Sequence, residues 1–303
     1  MIGVLVMAYG TAKDLQDLPR YYTHIRHGRP PSDAQLDDLR NRYQAIGGIS
    51  PLYSITESQA EGLENALNQG EDGPFRVYLG LKHTAPFIGD GLSAMAADGV
   101  EKGVGLVLAP HYSKMSVGAY LDEAQDSLRK LANPFDWHGI RSWHLDPAFI
   151  EAVAIRVQKS LARFVDGQPT MVIFSAHSLP QRILTEGDPY PGQLRETGEA
   201  VAEYLALPHY TFSWQSAGRT EEPWMGPDIL EKMDSLAREG WVNQLVCPVG
   251  FVSDHLEILY DLDVQAKEHA RKLGIHWERT PSFNAEPQFS QVLANVVKKA
   301  LAK

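Results

Sequence analysis

Residues 2–7, IGVLVM, contain no polar side chain, and largely apolar runs recur at 76–81 (RVYLGL), 104–109 (VGLVLA), 170–175 (TMVIFS), within 209–214 (HYTFSW) and at 244–250 (QLVCPVG). A strand with one wet face alternates apolar and polar residues. Runs that stay apolar expect burial on both faces, as in a parallel sheet covered by helices. Amphipathic segments at 53–69, 116–132, 148–164, 192–205, 226–239, 254–272 and 286–302 supply those helices. The alternation predicts an α/β, doubly wound architecture. A length of 303 residues suggests two domains. "LVLAPHYS" (106–113) and "VIFSAHSLP" (172–180) both run strand, small residue, histidine, hydroxyl, which hints at two similar halves joined near 140–168.

Composition narrows the function. Lys plus Arg total 28 against 38 Asp plus Glu, a formal net charge of -10, which argues against nucleic acid as the main partner. Cys247 is the one cysteine, so no internal disulfide and no cysteine-based zinc or iron–sulfur site is available. That usage suits a reducing cytoplasm. The opening MIGVLVMAYGT lacks a basic leader, is too short for a membrane span, and reads as a first buried strand.

In open α/β sheets ligands bind beyond the carboxyl ends of the strands. Tyr9, His83, His111, His177 and the acidic run of "PVGFVSDHLEILYD" (248–261) all stand at predicted strand exits. If 254–261 is helical at roughly 100° per residue, Asp254, Glu257 and Asp261 fall within about 60° of one another. Such a stripe can be a solvated face with Asp254 as helix cap, or an acidic edge facing a ligand. His177, in "FSAHSLP", follows a buried strand and is flanked by small residues. A neutral imidazole there could bind a metal, accept a proton or act as a base, or serve only as a backbone-bonded structural histidine. A site of histidine and carboxylate with few ligands suits a divalent first-row ion, Fe(II) included, that is passed on instead of kept. The stretch 21–56 is basic and hydroxyl-rich within an acidic chain. Arg26, Arg29, Arg42 and Tyr43 could grip carboxylates there, with Ser50 and the backbone of "GGISP".

Taken together, "LVMAYGT", "YYTHIRHGR", "RYQAIGGISPL", "YLGLKHTAPFI", "LAPHYS", "SAHSLP", "GDPYP", "WQS", "PWMGPD" and "PVGFVSDHLEILYD" resemble, in order and across the chain, the ferrochelatases, which insert ferrous iron into a porphyrin. The resemblance implies two similar Rossmann-like halves, each a parallel sheet flanked by helices, with a porphyrin cleft between them. The halves would be 1–145, carrying the propionate-binding segment, and 146–303, carrying the metal site, with the last helix free to pack back on the first half. It implies His177 and Glu257 as metal-site residues on one face of the macrocycle, and Asp261 and Asp254 as a relay for metal or protons. Members that take protoporphyrin usually carry Asn–Leu or Asn–Met where this chain has "MAYG". Tyr9 is similar instead to the coproporphyrin III branch of monoderm bacteria, where the tyrosine is the axial ligand of the product iron. Arg26, Arg42, Tyr43, Ser50 and Tyr120 match positions that bind propionates or line the cleft. The family's "IRRGR" is "IRHGR" here, so His27 weakens one expected propionate contact.

The resemblance implies no permanently bound cofactor, Fe(II) being a substrate. Expected partners are the porphyrin and ferrous iron, with no nucleic acid, no membrane insertion, a monomeric chain in the cytoplasm, and at most a transient contact with the next haem-pathway enzyme. Three rivals stand beside this reading: a cobalt or nickel chelatase acting on a more reduced tetrapyrrole, a haem or metal carrier using Tyr9 as axial ligand, and a Ser–His hydrolase. The last lacks a GxSxG elbow.

Overall fold

A computed structural model describes residues 1–70, 73–165, 167–218 and 220–302. The chain forms two compact units, Met1–Trp143 with Ser253–Leu256 and Phe283–Lys303, and His144–Val252 with Glu257–Ser282. Where the sequence suggests one boundary at 145, the chain therefore returns to the first unit twice.

In the first unit β1 (Ile2–Ala8), β2 (Phe75–Leu81), β3 (Lys102–Val107) and β4 (Asp136–Ile140) form a sheet ordered β2-β1-β3-β4, parallel throughout. Its helices are α1 (Leu18–Ile25), α2 (Asp33–Ala45), α3 (Leu52–Leu67), α4 (Ile88–Ala97), α5 (Ala119–Leu128) and the C-terminal helix Pro287–Leu301. Leu5 and Met7 of β1 are buried against Ile88, Leu92 and Met95 of α4 and Ala124 and Leu128 of α5. The C-terminal helix packs on α3 and reaches β3 and β4. Helices thus cover the strands, which is why β1 has no polar face to show.

The second unit repeats the plan. It contains α6 (Pro147–Leu161), β5 (Thr170–His177), α7 (Arg182–Thr185), α8 (Tyr190–Leu205), β6 (Tyr210–Gln215), α9 (Ile229–Arg238), β7 (Asn243–Cys247), a π-helical segment Ile258–Ala266, α10 (Lys267–Leu273) and β8 (His276–Arg279). Its sheet, ordered β6-β5-β7-β8, is again parallel. The start of α9 is set by a capping box. Asp228 accepts from the Leu230 N–H and Glu231 reaches back to the Asp228 N–H. Both units are therefore α/β, with the same strand order: second, first, third, fourth.

That shared order corrects the internal echo read from sequence. The segment 106–113 leaves β3, whereas 172–180 leaves β5, and β5 is the counterpart of β1, not of β3. The equivalent exits are β1 with β5 and β3 with β7. Strands β4 (DWHGI) and β8 (HWER) lack an apolar run, because little of their surface is buried. Among the described residues no helix is long and apolar enough to cross a membrane.

Close approach of α4 to the sheet depends on a missing side chain. A Cβ at Gly91 would stand 2.5 Å from the Leu79 carbonyl oxygen and 2.5 Å from Leu5 Cδ1. Gly91→Ala should therefore destabilise the protein by about 1–3 kcal/mol through overpacking, read as a lower urea midpoint with an unchanged slope.

Candidate active site

A sheet ordered second, first, third, fourth sends its chain off in opposite directions from the first strand, and the crevice this leaves at the strand C-termini is where such folds bind ligands. In the second unit the flanking strands are β5 and β7. β5 ends at His177, and the segment leaving β7 arrives at Glu257. The two meet: His177 Nε2 lies 3.5 Å from Glu257 Oε1, with side chains 33% and 36% exposed. Both are thus half-buried yet open to a ligand.

The imidazole is held from several directions. Tyr190 donates its phenol O–H to the His177 carbonyl at 3.0 Å. Burial, with the charges of Glu257 and Asp188, keeps that phenol protonated and a donor. The Ser178 N–H donates to the Gln215 carbonyl at 2.7 Å, and the Ser178 hydroxyl to the Met225 carbonyl at 2.8 Å. His177 Nδ1 hydrogen-bonds the Ser178 carbonyl, so Nδ1 carries a proton and Nε2 is the working atom toward Glu257. The rings of Trp224 and Phe251 each stand 6.3 Å from the imidazole, between centroids. Gly250 lets the segment after β7 lie against β5, since a Cβ there would meet Ala176 Cβ at 2.5 Å.

Electrostatics departs from the neutral imidazole expected of an isolated histidine. Burial disfavours its charged form, but the Glu257 charge and hydrogen bond, the Ser178 carbonyl and the charge of Asp261 outweigh it, and the pKa rises from 6.5 to about 9. At neutral pH His177 is an imidazolium facing a carboxylate. A metal binding at Nε2 must displace that proton, and Glu257 stabilises whichever cation is there.

The acidic stripe also takes another form. Winding over Ile258–Ala266 is π, not α. Bonding from i to i+5 widens each turn by about one residue, which suits Glu257 and Asp261, four apart, to one side. Asp261 is buried and accepts a hydrogen bond from Ser216 Oγ at 2.5 Å. Asp254 precedes the helical winding, which starts at 256. It is tied to Asn284, its N–H to Oδ1 at 2.8 Å and its carboxylate to Nδ2 at 2.9 Å.

In the first unit Tyr9 follows β1 and is 43% exposed. Its ring lies 4.4 Å from that of His83, whose Nδ1 is 3.0 Å from His24 Nδ1. Burial, with His24, Lys82 and His27 nearby, pushes the His83 pKa down to about 3, so it stays neutral. Arg26 donates to the Arg29 carbonyl and Arg42 pairs with Asp38 at 3.0 Å. Tyr43 is buried with its hydroxyl bonded to Thr11 at 2.8 Å. Ser50 is buried beside the Leu52 N–H, and Tyr120 is buried beneath the Lys82 ammonium, 4.6 Å from its ring. His111 is buried as well.

Comparison with known proteins decides the family. The ferrochelatase family model matches residues 1–301. The chain belongs to the ferrochelatase family. The coproporphyrin III ferrochelatase of Halalkalibacterium halodurans is 46% identical over 304 residues, covering 100% of this chain and 98% of the relative. The protein of that name from Anoxybacillus flavithermus is 47% identical over 307 residues (100% and 97%), and that from Listeria monocytogenes 46% over 300 residues (98% and 97%). Among solved structures, SirB from Bacillus subtilis with Fe3+ has a TM-score of 0.60 at 12% identity, covering 99% of this chain and 96% of that one. CbiX, described as the terminal enzyme for biosynthesis of siroheme in denitrifying bacteria, has a TM-score of 0.53 at 12% identity, covering 99% and 98%. These two share the fold.

Within this ferrochelatase-family chain the supports of His177 escaped a reading by residue type. Tyr190, Gln215, Ser216 and Trp224 lie in "GDPYP", "WQS" and "PWMGPD", motifs legible as family marks whose contacts only the fold reveals. The raised imidazole has a stated sign. The ion pair stabilises the folded chain fully below pH 6.5, and that contribution is lost as pH rises through about 9. In Glu257→Gln the NMR titration midpoint of His177 should fall from about 9 to 6.5 or lower, since burial is then opposed by less, and the alkaline loss of stability should shrink with it.

Proposed function

We propose that this ferrochelatase-family protein inserts Fe(II) into coproporphyrin III in haem biosynthesis. The observation that carries this reading is the His177–Glu257 pair at 3.5 Å, set at the β5 and β7 exits. Its support is the 46% identity, over the whole chain, to relatives named for that activity. Insertion exchanges one Fe(II) for the two pyrrole protons. His177 Nε2 receives the metal or a pyrrole proton once its own proton has left. Glu257 balances the charge, and Asp261 carries protons onward. Tyr9 is the axial ligand to product iron. Arg26 and Arg42 bind propionates, with Tyr43, Ser50 and Tyr120 lining their surroundings. Binding energy from those carboxylates bends the macrocycle so that its nitrogen lone pairs are exposed to the metal. The reading puts the enzyme in the cytoplasm, where its single thiol, the buried Cys247, stays reduced.

A spectrophotometric insertion assay tests this directly. Coproporphyrin III should be metallated faster than protoporphyrin IX. His177→Ala should bind coproporphyrin III yet lose Fe(II) insertion by orders of magnitude; unchanged turnover would refute the assignment. Tyr9→Phe should alter the absorption spectrum of the bound product, with a smaller effect on rate.

A further inference from the structure

The motif "WQS" joins the two arms of the site. Gln215 is the last residue of β6 and is paired in register with His177. It is wholly buried and held on both sides of the histidine: Ser175 Oγ donates to its Oε1 at 2.9 Å and the Ser178 N–H to its carbonyl at 2.7 Å. The next residue turns the chain sharply and reaches the other arm. Ser216 has φ +60 and donates its hydroxyl to Asp261 Oδ2 at 2.5 Å, on the π-helical segment that follows Glu257. Two consecutive residues therefore grip, in turn, the strand that ends in His177 and the helix that carries Asp261.

The backbone of Ser216 gives a second, independent observation. A positive φ is easy for glycine and uncommon for a residue with a side chain. A serine kept there carries a conformational cost that glycine would avoid, and strained non-glycine residues of this kind cluster at functional sites. What serine offers and glycine lacks is the hydroxyl, and that hydroxyl is on Asp261.

We propose that Ser216 is a positioning residue for metal insertion, anchored by Gln215 to the His177 strand and fixing the carboxylate of Asp261 in the orientation that serves the His177–Glu257 pair. The inference rests on the proposed function. Outer partners that orient the groups around a metal site typically contribute 10–100-fold in affinity or activity, and Ser216 acts through Asp261 without touching substrate.

Ser216→Gly removes the hydroxyl while relaxing the backbone, effects of opposite sign on stability, so the variant should still fold, as its circular dichroism spectrum checks. With Fe(II) and coproporphyrin III, its kcat should fall roughly 10–100-fold with KM for the porphyrin unchanged, a split that a loosened fold would not produce. Combined with Asp261→Asn, it should cost nothing beyond Asp261→Asn alone, because the two residues act as one unit. Full kcat in Ser216→Gly, or a loss that multiplies with that of Asp261→Asn, would overturn the inference alone. An unaltered protein that metallates neither porphyrin would overturn the proposed function and this inference with it.

Discussion

Two groups that water would otherwise solvate, an imidazole and a carboxylate, stand 3.5 Å apart at the exits of β5 and β7. Neither is buried enough to be inert nor exposed enough to be screened. Their coupling decides the charge of the site: alone, burial would leave His177 neutral, and Glu257 makes it a cation instead. A pair of this kind stabilises a cation at Nε2, whether a proton or a metal ion. Such an exchange device suits a protein through which the metal passes.

Several elements of the second unit hold the strand end that carries His177. The strand end is bonded at consecutive residues: the His177 carbonyl by Tyr190, the Ser178 amide by Gln215 and the Ser178 hydroxyl by the Met225 carbonyl. Each partner comes from a different element, so a shift of any one is opposed by the others. Aromatic faces from Trp224 and Phe251 restrict the ring itself. Gly250 supplies the remaining condition, space for the chain that leads to Glu257 to pass close to β5.

The parallel α/β class and the strand exits are legible in the sequence because burial on both faces leaves uninterrupted apolar runs, as in IGVLVM and TMVIFS. The strands DWHGI and HWER are not, since so little of either is buried that no such run is needed. His177 and Glu257 can be singled out by residue type and place, but their charge state cannot, because it arises from a distance. The winding of 254 to 261 is hidden for a related reason. Its spacing fits an α-helix, while the chain begins winding only at 256 and then winds as a π-helix, with Asp254 claimed by Asn284, thirty positions away in sequence. The echo of 106–113 in 172–180 is likewise a likeness of composition. Strand order alone reveals that the counterpart of β5 is β1.

With that correspondence in place, Tyr9 and His177 occupy the same position, the exit of the first strand, in two copies of one topology. Their surroundings have diverged in charge. Around His177 the nearby charges are the carboxylates of Glu257 and Asp261; Tyr9 stands against the neutral His83, with His24 and Lys82 behind it and Glu123 acting on both of those. On the proposed function, the acidic exit attracts the hydrated dication and shares the load when water is stripped from it. On the same reading, the unit that holds Arg26 and Arg42 meets the substrate rich in carboxylates. A single fold, duplicated, can thus meet both reactants of a metal insertion, because each copy needs to be electrostatically suited to only one of them.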